Sequence, residues 1–239
     1  MTVTVKADLA GLDLSSFDMV SFDCYGTLID WETGILNAVR PVFAARGVPA
    51  DDAAILAGYA AAEARFESGP YMRYRDVLAA TFSALATGAG FTARAEEARR
   101  FAATLADWAP FSDTIPALRM LGRAHRLAVL SNVDRDLFTA TARALGDPFD
   151  LVVTAEDVGS YKPSRANFEA LLHRSAVPAG RLLHVAESLY HDVAPAGALG
   201  IRTIWVNRRG GPPGRGATPA APARPDFEVR TLAALAELC

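Results

Sequence analysis

The sequence predicts an α/β protein: a parallel sheet flanked by helices and interrupted after its first strand by an all-helical insert. Three observations carry that prediction. Short apolar runs rich in β-branched residues, each ending in polar side chains, recur between helix-like stretches. Continuous rather than alternating hydrophobicity marks strands covered on both faces, as parallel sheets require. Between the first two runs, from about Trp31 to about Asp107, the chain carries helical periodicity and no strand signal. The chain has 239 residues, 51% hydrophobic and 21% charged, enough for one sizeable core with a smaller insert.

The elements follow in order. The strand-like runs are "MVSFD" (19–23), "RLAVLSN" (126–132), "LVVTAED" (151–157), "LLHVAE" (182–187), "RTIWVN" (202–207) and "FEV" (227–229). The insert is alanine-rich and periodic in "ILNAVRPVFAARG", "DDAAILAGYAAAEARFE", "RDVLAATFSALATG" and "AEEARRFAATLADW". This divides the chain into an α/β core of residues 1–30 and 108–239 and a helical cap of residues 31–107. The stretch "GGPPGRGATPAAPARP" (210–225) reads as a solvent-exposed linker before the last strand; its two arginines are a weaker argument for anion binding.

Bulk properties narrow the function. A net charge of −3 gives no electrostatic reason to bind nucleic acid. Cys24 and Cys239 are the only cysteines, so no disulfide framework is implied. The N-terminal stretch lacks the pattern of a secretory signal, and no apolar run is long enough to span a membrane. A cytoplasmic protein acting on a small molecule is expected.

In open parallel sheets ligands bind beyond the carboxyl ends of the strands. Four of those ends carry polar residues: Asp23 after the first run, Ser131 and Asn132 at the second, Lys162 in "GSYKPS" beyond the third, and Glu187 and Asp192 in "VAESLYHD" after the fourth. Each alone is read as readily as a turn or helix cap. Their order at successive strand ends is harder to attribute to caps.

Together "FDCYGT", "LSN", "SYKP" and "VAESLYHD" resemble the four successive motifs of the haloacid dehalogenase superfamily, with the helical insert where that family places its cap. The resemblance implies a Rossmann-like, doubly wound core and a nucleophilic Asp23 that forms a covalent aspartyl intermediate. It assigns Lys162 to holding Asp23 ionised, and Ser131, Asn132 and Thr27 to hydrogen bonding around substrate or developing charge. Asp192 completes the catalytic set. The substrate-contacting set comprises Tyr25, Cys24, Gly26, Glu187 and Phe168, with the Cys24 side chain alternating away from Asp23. A homodimer formed through the cap is compatible with the resemblance.

Tyr25 stands where phosphoryl-transferring members carry a second aspartate as general acid and base. A phenol is a poor substitute for that shuttle, whereas a halide leaving carbon needs no proton. "DxYGT" resembles the L-2-haloacid dehalogenases, so the expected reaction is cofactor-free hydrolytic dehalogenation of a short 2-haloacid. The sequence departs from those enzymes at three points. The early cap lacks their arginine, leaving Arg40, Arg65 or Arg73 as substitutes; Phe168 stands for a tyrosine; and Glu187 stands for a serine.

Glu187 supports the alternative of a Mg²⁺-dependent phosphatase or phosphonatase, with Asp23, Glu187 and Asp192 as metal ligands. A catalytically idle binding module is the third reading. His184 is expected in packing, His191 near the site, and Asn207 in a turn. Among the cap aromatics Tyr59, Phe66, Tyr71 and Tyr74, one or two are expected to line a pocket.

Overall fold

Each of the six apolar runs forms a strand in the computed structural model, which describes residues 9–49, 51–211, 217–218 and 221–239. The strands are β1 (Met19–Phe22), β2 (Arg126–Ser131), β3 (Leu151–Thr154), β4 (Leu182–Ala186), β5 (Arg202–Val206) and β6 (Phe227–Val229). They form one parallel sheet in the order β3-β2-β1-β4-β5-β6. β1 is buried throughout, with Val20 paired to Leu127 on one side and Leu183 on the other. The chain steps outward from β1 through β2 and β3, then returns to lay β4 on the other side of β1. That reversal opens a crevice beyond the carboxyl ends of β1 and β4, between Asp23 and Asp192.

Five of the six strands are shorter than their sequence suggests, β1, β2, β4 and β5 by one residue and β3 by three. β1 stops before Asp23. β3 ends at Thr154, because the Thr154 hydroxyl accepts the Asp157 N–H at 3.2 Å while the Asp157 carboxylate accepts the Thr154 N–H at 3.0 Å. This reciprocal cap turns Ala155–Val158 into a helical turn, α7, rather than more strand.

The insert supplies α1 (Trp31–Ala44), α2 (Asp52–Glu67), α3 (Tyr74–Gly88) and α4 (Ala95–Ala103). Asp30 caps α1 by accepting the Thr33 N–H. Where the chain leaves and re-enters the sheet layer, Ile29 bridges Pro110 in antiparallel sense and the Asp30 N–H donates to the Ala109 carbonyl at 2.9 Å. Insert and sheet share one apolar cluster, in which Val20 and Phe22 continue into Ile35, Tyr59, Leu78 and Phe82. The opposite face of the sheet packs Met19, Leu130, Phe168, Leu171 and Ile201. Two covered faces explain why the strands read as unbroken apolar runs.

At Gly34 in α1, an added Cβ would lie 2.5 Å from the Trp108 ring, itself buried where the insert ends. In an open helix Gly→Ala gains roughly 1 kcal/mol. Here overpacking reverses the sign, and Gly34→Ala is expected to cost about 1–3 kcal/mol in urea denaturation.

The remaining helices are α5 (Thr114–Leu121), α6 (Arg135–Ala144), α8 (Arg165–Ser175), α9 (Ala194–Ala198) and α10 (Leu232–Ala236). No helix among the described residues is long and apolar enough to cross a membrane. The 210–225 stretch is only partly the exposed linker expected: Arg224 is exposed and Arg215 lies outside the described residues, but Ala217 and Thr218 are buried.

Candidate active site

Asp23 sits at the end of the central strand, almost wholly buried. The turn that follows folds tightly because the Cys24 carbonyl accepts the N–H groups of Leu28 at 2.7 Å and Ile29 at 3.0 Å. Gly26 makes this possible. Its φ of +96° suits glycine, and a Cβ there would stand 3.0 Å from the Trp31 indole nitrogen. The turn brings the Thr27 hydroxyl to donate to Asp23 Oδ2 at 2.7 Å, while Thr27 Oγ1 accepts the Glu187 N–H at 2.9 Å.

Lys162 is the hub. Its ammonium donates to Asp23 Oδ1 at 2.8 Å, to Asp192 Oδ1 at 2.7 Å and to the Leu130 carbonyl at 3.0 Å, using all three N–H bonds. Asn132 holds the lysine backbone from both sides, accepting its N–H at 2.7 Å and donating to its carbonyl at 3.1 Å. Asp192 lies in one wide π-type turn, Leu189–Val193, opened by Ser188. His184 Nε2 bonds Asp192 Oδ1 at 2.9 Å, and His184 Nδ1 bonds Ser21 at 2.8 Å. His184 therefore does more than pack; it steadies the carboxylate beside the lysine.

Two buried carboxylates share one ammonium, and their acidities separate. Burial raises the Asp23 carboxyl, and the Asp192 charge adds to that against the pull of Lys162. Burial alone would raise Asp192 as well, but Lys162 and His184 outweigh it and hold Asp192 below the usual range. Burial opposes the charge on Lys162, yet the carboxylates prevail and its pKa lies above the ordinary value. Lys162 is thus a fixed cation rather than a base.

A cavity of about 40 Å³ opens beside Asp23. From the core its walls include Tyr25, Ser131, Asn132, Lys162, Glu187 and Asp192; from the insert they include Trp31, Glu63, Glu67 and Tyr74. Of the predicted set, Cys24, Gly26, Thr27 and Phe168 do not line this cavity, Thr27 acting through its bond to Asp23. Cys24 is fully buried in the large apolar cluster, where burial raises its thiol well above normal. Phe168 lies on the other face of the sheet, edge-on to His184 at 5.4 Å. Gly26 lies behind Trp31 and lines a neighbouring cavity with Arg208 and Arg209.

The Tyr25 hydroxyl is engaged with Thr141 at 2.9 Å, and its ring meets Trp108 edge-on. Burial raises its phenol well above 10. Ser131 lines the cavity with a buried hydroxyl that has no partner, and Asp192 Oδ2 is likewise unpartnered.

The proposed substitutes for a cap arginine are all engaged elsewhere. Arg40 pairs with Asp52, Arg65 lies over Phe66 in another cavity, and Arg73 pairs with Asp134, Asp136 and Glu156. In their place stand acids the sequence reading passed over. Glu63 Oε1 accepts the hydroxyls of Tyr59 at 2.7 Å and Tyr74 at 2.6 Å, and Glu67 accepts both its bonds from Asn132 Nδ2 at 3.2 Å. Tyr59, Glu63 and Glu67 recur every four residues along α2, one stripe of a helix; that spacing was the available signal. Asp134 was also passed over. Fully buried in the core, it accepts the N–H groups of Tyr74 at 2.8 Å and Arg75 at 3.1 Å, capping α3 across the insert boundary.

The ligand set expected for Mg²⁺ does not assemble. Among the described residues no group of three His, Cys, Asp or Glu side chains is spaced to hold a metal. The Lys162 ammonium occupies the space between Asp23 and Asp192. Glu187 lines the cavity but is already engaged, accepting the Thr218 hydroxyl at 2.8 Å with Arg209 at 3.7 Å.

Burial raises Glu63 to about 7 even though both tyrosine hydroxyls oppose the shift. A carboxyl whose folded pKa exceeds its unfolded value stabilises below about 4.5 and loses that contribution as pH rises through 7. At 1.36 kcal/mol per unit the loss is up to about 3 kcal/mol. Glu63→Gln keeps an acceptor for both tyrosines and cannot ionise. Its thermal midpoint is expected to fall less between pH 5 and pH 8 than that of the wild type.

The model of the haloacid dehalogenase-like hydrolases matches residues 17–200. An (S)-2-haloacid dehalogenase of Pseudomonas putida is 27% identical over 220 residues, covering 90% of this chain and 92% of its own. The haloacid dehalogenase-like hydrolase domain-containing protein 3 of Danio rerio is 36% identical over 110 residues, and the match spans only 44% of either chain. Among solved structures, the L-2-haloacid dehalogenase of Xanthobacter autotrophicus with chloropropionic acid covalently bound superposes with a TM-score of 0.79 at 20% identity, covering 93% of this chain and 98% of that one.

Proposed function

The chain belongs to the haloacid dehalogenase-like hydrolases, and from that premise we propose that it hydrolyses a carbon–halogen bond at the 2-position of a short compound through an ester on Asp23. The relatives named for this activity act on 2-haloacids, and one of the similar structures carries a covalent adduct. As an enzyme family, it also leaves the idle binding module without support.

The observation that carries the reading is the state of Tyr25. Its hydroxyl is tied to Thr141 and its pKa lies well above 10, so no proton shuttle stands two residues after Asp23. A leaving oxygen would need that proton; a halide does not. Asp23, fixed by Lys162 and Thr27, attacks the halogen-bearing carbon. A carbon–oxygen bond forms as the halide leaves with its electron pair. A raised pKa makes the ionised Asp23 the more basic, and hence more nucleophilic, of the two carboxylates. Water then adds to the ester carbonyl and gives its proton to the unpartnered Oδ2 of Asp192. The adduct collapses, the alcohol oxygen leaves with the proton returned from Asp192, and Asp23 is regenerated as its carboxylate with release of the second proton of the water. Residues 31–107 act as the cap that closes this reaction from bulk water.

A single turnover in ¹⁸O-water tests the scheme. The label is expected first in the Asp23 peptide, with halide release unchanged by EDTA. Label passing straight into the product, or activity on a phosphate ester that requires Mg²⁺, would overturn it.

A further inference from the structure

Ser21 and His184 stand opposite each other in the register between β1 and β4, on the same face as Met19 and Leu182. Both are fully buried, and the Phe168 ring lies edge-on to the imidazole at 5.4 Å. A polar pair in an apolar layer costs desolvation that two aliphatic side chains would avoid. Here the pair leads somewhere. Ser21 Oγ lies 2.8 Å from His184 Nδ1, and His184 Nε2 lies 2.9 Å from Asp192 Oδ1. Against burial, Lys162 and His184 keep Asp192 ionised, and an ionised carboxylate only accepts, so Nε2 is the donor.

This chain of bonds divides the labour of the two Asp192 oxygens. Oδ1 is filled by His184 and by Lys162. Oδ2 is buried and has no partner among the described residues, on a side chain that lines the reaction cavity. Two donors on one oxygen fix the carboxylate plane and thereby aim the other.

The two halves of the proposed reaction use Asp192 unequally. Displacement of halide moves no proton, and Asp23 is held for it by Lys162 and Thr27. Ester hydrolysis needs a base for the attacking water and an acid for the departing alcohol oxygen. A misaimed Asp192 therefore spares the first half and slows the second.

We propose that His184, fixed by Ser21, is a positioning residue for ester hydrolysis, holding Asp192 so that Oδ2 meets the water that attacks the Asp23 ester. The inference rests on the Asp23 displacement proposed above and goes beyond it to the second step. No bond to His184 forms or breaks. It keeps its Nε2 hydrogen while one water proton passes to Asp192 Oδ2 and returns to the alcohol oxygen.

Single turnovers with enzyme in excess over (S)-2-chloropropionate separate the steps. Halide release reports ester formation, and the mass of the Asp23 peptide reports ester decay. His184→Phe keeps a ring and removes the donor. Its ester decay is expected to slow about 10-fold or more, part of the factor a general base supplies, with halide release within about twofold of the wild type. The adduct on Asp23 then accumulates. His184→Gln carries an amide N–H to the same reach and is expected to restore most of the decay rate. Ser21→Ala, the mildest change to the core, is expected to slow decay by a smaller factor, and it supplies the test where the Phe variant does not fold. Both steps slowing equally, decay unchanged in the Phe and Ala variants, or a Gln variant as slow as the Phe would overturn the inference and leave the Asp23 chemistry standing. Wild-type enzyme giving neither halide nor an adduct overturns the displacement and the inference together.

Discussion

Asp23→Asn is expected to reduce halide release by about 10⁴-fold or more, the scale seen when a covalent nucleophile is removed. The amide retains the volume and an oxygen for Lys162, so the loss is chemical and not a consequence of unfolding. Stability is expected to move the other way. The wild-type cluster buries two carboxylates against one ammonium, and burial raises the Asp23 carboxyl. Replacing it leaves Lys162 balanced by Asp192 alone. The thermal midpoint at pH 8 should therefore hold or rise, a trade of stability against activity common at catalytic sites. A variant that retains a tenth of the wild-type rate, or that loses activity only because it melts, would contradict the role given to Asp23.

Lys162→Met is expected to damage both properties. Without the ammonium, the Asp23 and Asp192 carboxylates share a buried site with no opposite charge between them. Removing one partner of a buried ion pair costs about 3–5 kcal/mol. In a domain of this size that lowers the melting temperature by roughly 10 °C. Both carboxyls would then have folded pKa values above their unfolded ones, so stability should recover as pH falls toward 5 and decline as it rises. Activity should fall about 10³-fold, because a protonated Asp23 is no nucleophile. A variant as stable as the wild type at pH 8 would mean that the three-charge cluster does not form. Asn132→Ala, by contrast, removes the clamp on the lysine backbone and leaves the charges in place.

The contrast between Lys162 and the glutamates of α2 shows where sequence reading succeeds. Asp23 and Asn132 stand at strand ends and Lys162 and Asp192 a few residues beyond them, each in a compact motif, and a parallel sheet places successive strand ends side by side. Chain order alone therefore implied that they meet. Glu63 and Glu67 carry no such implication. They lie on a helix of the insert, and nothing local to "AEARFE" says which face of α2 turns toward Asp23. Phe168 shows the opposite, since its match to the family's tyrosine places it by the substrate while its ring packs away from it, and Cys24, in the substrate-contacting set by the resemblance, follows instead the strand alternation that turns its side chain away from Asp23. Cys24 belongs to the apolar cluster and Phe168 to the far face of the sheet. The 210–225 stretch had a loop's composition, yet Thr218 returns to Glu187.

The sequence by itself determined the architecture and the core of the site. Unbroken β-branched runs can be buried only in a sheet covered on both faces, and such a sheet gathers its carboxyl-end residues in one crevice. Only the tertiary structure decided what surrounds the substrate. The packing of α2 over the crevice turns Glu63 and Glu67 inward, while contacts within the core spend every N–H of Lys162 on Asp23, Asp192 and the Leu130 carbonyl and tie the Tyr25 hydroxyl to Thr141. Those are choices between helix faces and hydrogen-bond partners far apart along the chain. They are settled by which arrangement leaves the fewest buried polar groups unpaired, a property of the whole fold and of no single segment.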